Sequence, residues 1–213
     1  MAQPNIFLHK NDIPAGLDFG PVVAIDTESL GLNRTRDRLC LVQLSSGDGV
    51  AHLVQFAQGG YDAPNLKKLL ADPSVTKLFH FARADMATLA YHLGVMPGPV
   101  YCTKIASVLT RTFSNKHGLK DLIKDLLGMD VSKELQTSDW GAAELSPEQM
   151  SYAAADVIYL HRLKSKLDEM LAREGRAQLA SAVFGFLPVR AELDLAGWEN
   201  VDIFAHKPVP GNG

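Results

Sequence analysis

The sequence has few cysteines and no long hydrophobic run. Its 2 cysteines, Cys40 and Cys102, are too few for a disulfide framework or a cysteine-based zinc site, so we expect both to be reduced, buried thiols. No apolar run approaches the roughly 20 residues that a membrane-spanning helix needs. Residues 1–12 are polar and mixed, unlike the apolar centre of a signal peptide. These absences predict a cytoplasmic protein with no membrane partner.

An excess of positive charge is also missing. The formal net charge is −3 and the isoelectric point is about 6.1, whereas proteins that coat long DNA or RNA carry a broad basic surface. Any nucleic-acid partner should therefore be short, or be bound at a local site.

The order of the apolar runs predicts an α/β fold. A chain of 213 residues, 46 % of them hydrophobic, can bury one sizeable core. Apolar, β-branched runs predict strands, the first three forming an antiparallel meander, at 22–25, 39–44, 50–56 and 75–79. Helical spacing predicts helices at 65–71, 84–93, 103–112 and 119–127, and a long helix that starts near the capping residue Ser146. This order predicts a single domain with a mixed sheet flanked by helices.

Acidic residues directly follow the first apolar run. Asp26 and Glu28 are two positions apart, so on a strand their side chains point to the same face. If that strand is central, its end is where α/β sheets place their ligand crevices. An edge strand whose acidic residues face water is the alternative for this pair taken alone.

Two more carboxylates complete the pattern. Asp85 follows the run 75–79, and Asp156 lies one helical turn after Tyr152. Taken alone, Asp85 could be a first-turn residue favoured by the helix dipole, and the Tyr152–Asp156 spacing could arise by chance. Together, four carboxylates in one cleft would raise one another's pKa unless cations lay among them. Hard oxygen ligands select Mg²⁺ or Mn²⁺, so the joint pattern predicts a two-metal phosphodiester hydrolase.

Three segments resemble the motifs of the DEDDy superfamily of 3′-5′ exonucleases, to which ribonuclease D belongs; they are 25–28, 79–85 and 152–156. Further segments resemble the bacterial nano-RNase C family, and these are 38–49, 102–107, 117–120 and the Gly197-Trp198 pair. The resemblance implies a ribonuclease H-like (DnaQ-like) fold. It also implies an exonuclease domain over 1–172 and a helical C-terminal extension over 173–206 that contributes to an oligomer interface. Residues 207–213 are rich in proline and glycine, which cannot propagate a helix or a strand, and so predict a flexible tail.

The resemblance implies a function and a set of catalytic residues. Two divalent cations, Mg²⁺ or Mn²⁺, would be held by Asp26, Glu28, Asp85 and Asp156, while Tyr152 orients the attacking water. The implied reaction removes nucleotides from the 3′ end of short RNA, above all 5′-phosphorylated dinucleotides such as pGpG, and releases nucleoside 5′-monophosphates. Two alternatives stay open: a ribonuclease D-like enzyme acting on longer RNA or DNA, and a non-catalytic nucleic-acid-binding protein.

Several residues are candidates for substrate contacts. The segment 26–32 also resembles oligoribonuclease, in which the last leucine wedges between two bases; Leu32 would take this role, or else cap the core as an ordinary loop residue. His80 could stack on a base, contact phosphate or make a structural hydrogen bond. Thr27 and Phe81, within the first two motifs, complete the near-site set. Four residues are candidates for binding the substrate's far phosphate, or else are solvated residues of helix surfaces. They are Lys104, Ser107, His117 and Lys120.

The C-terminal region carries more apolar surface than one catalytic fold needs. A second apolar helix is predicted at 178–186, and Trp198 and Phe204 follow it. Aromatic residues in such a segment are typical interface anchors, although packing within the chain is the alternative. The resemblance to nano-RNase C implies a homo-octamer.

Overall fold

A computed structural model describes residues 5–131 and 138–206, so the predicted flexible tail lies outside the described residues. Six strands form one sheet in the order β1-β4-β3-β2-β5-β6. The strands are β1 Asn5–Lys10, β2 Val22–Ser29, β3 Leu39–Ser45, β4 Val50–Gln55, β5 Thr76–Phe79 and β6 Val100–Cys102. The helices are α1 Pro64–Ala71, α2 Ala82–Leu93, α3 Thr103–Thr110, α4 Leu119–Leu127, α5 Pro147–Ile158, α6 Leu160–Arg173 and α7 Ala177–Leu193, with a π turn at Asp194–Trp198.

The sheet is mixed, as the sequence predicts. Strands β2, β3 and β4 form the predicted antiparallel meander, while β1, β5 and β6 join it in parallel. Strand β2 lies inside the sheet, between β3 and β5, and its residues Val23, Ala24 and Ile25 are fully buried. The acidic residues that follow these three therefore extend from the middle of the sheet and not from an edge.

The apolar pattern of the sequence does not predict strands β1 and β6. Strand β1 is an edge strand whose residues are mostly exposed, and its apolar run, Ile6-Phe7-Leu8, is three residues long. Strand β6 has 3 residues, which is too short to show a periodic pattern.

The predicted long helix is two helices, α5 and α6, that meet at Tyr159. Its predicted start is confirmed: Gln149 N donates to Ser146 Oγ at 3.2 Å, and Ser146 N donates to Gln149 Oε1 at 2.9 Å. Val157 and Leu160, on either side of the break, are both fully buried. The buried face continues across the break, which explains why periodicity alone predicts one helix.

The apolar core occupies both faces of the sheet. On β3, Leu41 and Val42 belong to different buried clusters, as expected for neighbouring side chains on opposite faces of a strand. Cys40 and Cys102 are buried free thiols, as the sequence predicts. Among the described residues, no helix combines the length and apolar character needed to cross a bilayer.

Candidate active site

The acidic end of β2 meets α5 at a three-carboxylate cluster. Oxygen atoms of Asp26, Glu28 and Asp156 lie within 4.8 Å of one another. Asp26 and Glu28 share a face of β2 because they are two positions apart, and α5 brings Asp156 to that face. The structure thus brings together residues from two of the three predicted motifs, in an arrangement that can share a cation.

Asp85 borders this cluster from the first turn of α2. Thr27 Oγ1 donates a hydrogen bond to Asp85 Oδ1 at 2.7 Å, so the predicted substrate residue Thr27 holds a carboxylate in this structure. The charge of Asp85 also raises the pKa of Asp26. All four predicted carboxylates therefore interact, although the tightest group contains three of them.

Burial raises the pKa of every carboxylate in this set, and repulsion by neighbouring carboxylates adds to the rise for Asp26 and Glu28. The pKa of Asp26 is well above its ordinary value, first through burial and then through the charges of Asp85, Asp156 and Glu28. The pKa of Glu28 rises to about 8, and those of Asp85 and Asp156 rise to about 7, chiefly through burial. Carboxylates that repel one another in a buried site are the donor set that a divalent cation stabilises in charged form.

Gln43 is a site residue that the sequence analysis missed. It is fully buried on β3, and its Nε2 donates to Asp26 Oδ2 at 3.2 Å. The available signal is a polar residue within an otherwise apolar strand, since a buried amide needs a hydrogen-bonding partner.

Tyr152 stands beside the cluster on α5. Its ring centroid lies 6.1 Å from that of Trp140, and Lys120 Nζ lies 4.6 Å from the ring centroid. Burial and the charges of Asp156, Glu28 and Asp26 raise the pKa of the Tyr152 phenol. The phenol therefore stays protonated at neutral pH and can donate a hydrogen bond.

A catalytic cleft of about 400 Å³ opens over these groups. Its lining comprises Asp26, Thr27, Glu28, His80, Gly118, Leu119, Lys120, Asp121, Tyr152 and Asp156. The Lys120 ammonium partly offsets the raised pKa values of Glu28 and Asp156. The cleft thus joins carboxylates, a phenol and a cation, which is a suitable chemistry for holding metal ions, water and phosphate.

Next to the catalytic cleft lies a second cavity of about 580 Å³, which we call the leucine cavity. It shares Thr27 and Glu28 with the catalytic cleft, and its lining includes Leu30, Leu32, Arg34, Ala84, Asp85 and Trp140. Leu32 is 96 % exposed, so the alternative that this residue caps the core is wrong. The predicted wedge residue stands in solvent at the edge of this cavity.

His80 is held as a neutral imidazole. Thr103 Oγ1 lies within hydrogen-bonding distance of Phe79 O, at 3.2 Å, and of His80 Nδ1, at 2.9 Å. Burial and then the charge of Lys104 lower the pKa of His80 to about 3. A neutral imidazole has one donor and one acceptor nitrogen, and with Nδ1 bonded to Thr103, Nε2 is the nitrogen left for a ligand.

The other predicted substrate residues lie around α3 and the start of α2. Phe81 has a left-handed backbone, with φ 66°, and is 42 % exposed; Lys104 Nζ lies 4.2 Å from its ring centroid. Ser107 is fully buried, and its hydroxyl hydrogen-bonds with His117 Nδ1 at 2.8 Å. In this arrangement Ser107 orients His117 and does not line the cleft.

Comparison with known proteins identifies the family. The chain matches the family model described as 3′-5′ exonuclease over residues 11–172. It is 39 % identical over 156 residues to ribonuclease D of Gluconacetobacter diazotrophicus, an alignment that covers 73 % of this chain and 39 % of that protein. The chain therefore spans about two fifths of the length of the first ribonuclease D relatives it matches.

Solved structures match over a longer stretch. Brucella melitensis NrnC is 55 % identical and superposes with a TM-score of 0.93 over 95 % of this chain and 99 % of that one. That protein has also been solved bound to pGG and with bound Mg²⁺. Escherichia coli ribonuclease D is 27 % identical with a TM-score of 0.71, covering 81 % of this chain and 45 % of that one. The predicted ribonuclease H-like (DnaQ-like) fold and the resemblance to ribonuclease D and nano-RNase C are confirmed, and the chain belongs to the 3′-5′ exonuclease family.

Proposed function

We propose that this protein is a metal-dependent 3′-5′ exoribonuclease that hydrolyses short oligoribonucleotides, above all 5′-phosphorylated dinucleotides such as pGpG, to nucleoside 5′-monophosphates. The observation that carries the proposal is the cluster of Asp26, Glu28 and Asp156, with oxygens within 4.8 Å of one another at the floor of the catalytic cleft. Asp85, tied to Thr27, borders the cluster. The family supplies the reaction, and the shape and charge of the site support the substrate.

The donor set fits two divalent cations, Mg²⁺ or Mn²⁺. Asp26, Glu28, Asp85 and Asp156 would hold them, because these four carboxylates have raised pKa values that a cation would bring back down. When bound, such ions supply an activated water and neutralise charge on the phosphate. A structure of the related Brucella NrnC carries Mg²⁺, which supports the same ion here.

The protein's own groups then position the reactants. Tyr152 keeps its proton, so it can hold the attacking water by a hydrogen bond but cannot act as its base at neutral pH. Lys120 lines the catalytic cleft beside Glu28 and Asp156, where an ammonium favours an anionic phosphate. His80 lines the catalytic cleft as a neutral imidazole, and its Nε2 is left for a contact with substrate.

Small cavities and low positive charge support a short substrate. The catalytic cleft and the leucine cavity meet at Thr27 and Glu28, so a substrate that spans both would lie across the acidic cluster. The exposed Leu32 is placed to separate two bases there. A net charge of −3 disfavours binding of a long nucleic-acid backbone. The pGG complex of Brucella NrnC supports a dinucleotide.

A second candidate function is ribonuclease D-like trimming of longer RNA or of DNA. The observation in its favour is the 39 % identity to a ribonuclease D. That identity covers the exonuclease region and about two fifths of the relative's length, so the rest of the relative has no counterpart in the alignment.

We also propose that the extension over 173–206 forms an interface in a homo-octamer. The exposed apolar side chains of this region include Leu179, Phe186, Val189, Trp198 and Phe204. Phe186 and Phe204 contact each other with ring centroids 5.9 Å apart. Exposed aromatic groups that cluster in this way are typical of interface cores.

Competition between substrates tests the function. Equal molar amounts of a 5′-phosphorylated dinucleotide and a heptamer are incubated with the protein and Mn²⁺ or Mg²⁺, and turnover per 3′ end is measured. We expect faster turnover of the dinucleotide, and loss of both activities in chelator. Equal turnover per end would favour the ribonuclease D-like function. A protein that has no activity with either cation and no response to chelator would favour the non-catalytic alternative.

A further inference from the structure

The turn after α7 carries a buried carboxylate that lies outside the metal cluster. The side chain of Asp194 is 1 % exposed and accepts hydrogen bonds from two arginines. Arg83 Nη2 donates to Asp194 Oδ1 at 2.7 Å, and Arg83 Nε donates to Oδ2. Arg190 Nε donates to Oδ1 at 3.0 Å. We call Asp194, Arg83 and Arg190 the ion-pair hub.

One arm of the hub reaches the helix that carries a predicted metal ligand. Arg83 is the second residue of α2, and Asp85 is two residues further along its first turn. The two hydrogen bonds from Arg83 to Asp194 form a bidentate pair of fixed geometry, so they tie the first turn of α2 to the turn after α7. Asp194 thereby fixes the turn of α2 from which Asp85 approaches Asp26.

The second arm reaches the leucine cavity. Arg83 Nη2 donates to the carbonyl of Glu199, and Arg190 Nη2 donates to the same carbonyl at 3.3 Å, so the hub fixes the backbone at Glu199. The Glu199 carboxylate pairs with Arg34. Arg34 lies two residues after Leu32, and both line the leucine cavity together with Asp85.

We propose that Asp194 is a positioning residue for the nuclease site. Through Arg83 it sets the first turn of α2 and so the place of Asp85; through Glu199 and Arg34 it holds the loop that carries Leu32. The inference rests on the proposed function, because it assigns Asp85 to metal binding and Leu32 to nucleotide binding. It assigns a role to Arg83 within the second motif and to a C-terminal turn that the motifs do not include.

The two arms predict separable effects. Asp194→Asn removes one charge from the hub and loosens both arms. Loss of a group that orients metal ligands typically costs about 10- to 100-fold in metal affinity or activity. Glu199→Gln keeps the backbone contacts but weakens the pair with Arg34, so it should raise KM for the dinucleotide and leave kcat and the Mg²⁺ requirement unchanged.

The experiment measures kcat and KM for pGpG, the Mg²⁺ concentration for half-maximal rate, and the rise in Tm that Mg²⁺ causes. The variants are Asp194→Asn, Glu199→Gln and, as a control for stability alone, Leu171→Ala, a buried site on α6. We expect Asp194→Asn to need about tenfold more Mg²⁺ for both readouts. Leu171→Ala should lower Tm while its KM and Mg²⁺ requirement stay as in the natural protein.

Two results would overturn the inference. One is an Asp194→Asn protein with natural KM and Mg²⁺ dependence; the other is a Leu171→Ala protein that shows the same kinetic change at the same loss of Tm. If Asp194→Asn does not fold, Glu199→Gln decides, because its side chain is 45 % exposed and an unchanged KM contradicts the second arm. If the natural protein does not hydrolyse pGpG, the proposed function fails instead, and the Mg²⁺-induced rise in Tm still tests the first arm.

Discussion

The two cavities at the end of β2 differ in chemistry although Thr27 and Glu28 line both. The catalytic cleft presents carboxylates, the Tyr152 phenol and the Lys120 ammonium. The leucine cavity presents Leu30, Leu32, Ala84 and Trp140 together with a few polar groups. Charged donors and metal ligands suit phosphate, whereas apolar and aromatic side chains suit the faces of bases.

This difference indicates that residues at the end of one strand can contribute both to the reaction and to recognition of the substrate. Asp26 and Glu28 point to one face of β2, while Thr27 lies between them and donates to Asp85. Substitutions of the carboxylates, the phenol or the ammonium should therefore lower kcat, and substitutions of the apolar side chains of the leucine cavity should raise KM.

The largest effect is expected from Asp156→Asn, which removes a charge from the carboxylate cluster but keeps its size. Loss of a metal ligand removes several kcal/mol of transition-state stabilisation, or about 10³-fold or more in kcat. Initial rates on pGpG at saturating Mg²⁺ measure this. The matched control is Asp62→Asn at an exposed position, which should keep natural activity. A kcat within threefold of natural for Asp156→Asn would remove this residue from the cluster's chemistry.

Tyr152→Phe is expected to have the next largest effect. It keeps the ring that contacts Trp140 and Lys120 and deletes the phenol, so the attacking water loses a hydrogen bond. We expect kcat to fall by about 10²-fold while KM stays within a few-fold, because the lost contact acts at the reacting water. Steady-state kinetics on pGpG give both constants. A raised KM with natural kcat would assign Tyr152 to the recognition side instead.

Lys120→Gln should lower kcat/KM by about tenfold or more, since a charged donor to phosphate is lost. It should also move the acidic limb of the rate–pH profile to higher pH, because the Lys120 charge lowers the pKa of Glu28 and Asp156. Rates between pH 6 and 9 measure the shift. Lys124→Gln, on the same helix with its ammonium paired to Asp130, is the control and should leave the profile in place. Matching profiles for the two variants would contradict the role of Lys120.

Leu32→Ala should have the smallest effect. Because Leu32 is exposed in the free protein, its substitution removes only the contact with bound nucleotide. We expect a loss of about 1–2 kcal/mol in binding free energy, or roughly a tenfold rise in KM. Metal affinity should not change. Binding of pGpG in the presence of Ca²⁺ measures the difference, with Leu8→Ala, an exposed leucine of the edge strand β1, as the control. An unchanged affinity for Leu32→Ala would defeat the wedge role.

Much of this site could be predicted from local sequence. An apolar run followed by alternating acids predicts that Asp26 and Glu28 share one face, and the carboxylate cluster agrees. The capping box at Ser146 fixes the start of α5, and hence the turn on which Tyr152 and Asp156 lie. These are short-range effects of strand and helix geometry.

The remainder depends on contacts between distant segments. The pairing of Gln43 with Asp26 spans two strands, and the hub at Asp194 joins residues 111 positions apart. Strand β1 has a short apolar run, at 6–8, and its place at the edge of the sheet depends on pairing with the distant strand β4. The prediction for α7 stopped at 186, whereas the helix runs through Pro188 to Leu193. Proline usually ends a helix, so tertiary packing overrides the local preference here.

The central claim is that the carboxylates at the end of β2 exist to hold cations. Their pKa values are raised in the folded protein, so the stability they contribute without metal is present at low pH and is lost as pH rises from about 4 towards 8. Thermal unfolding in chelator and in Mg²⁺, measured from pH 5 to pH 9, tests this directly. We expect Tm in chelator to fall across this range, Mg²⁺ to raise Tm most at the alkaline end, and Asp26→Asn to reduce both effects. A Tm at pH 8 that is the same with and without Mg²⁺ would contradict it.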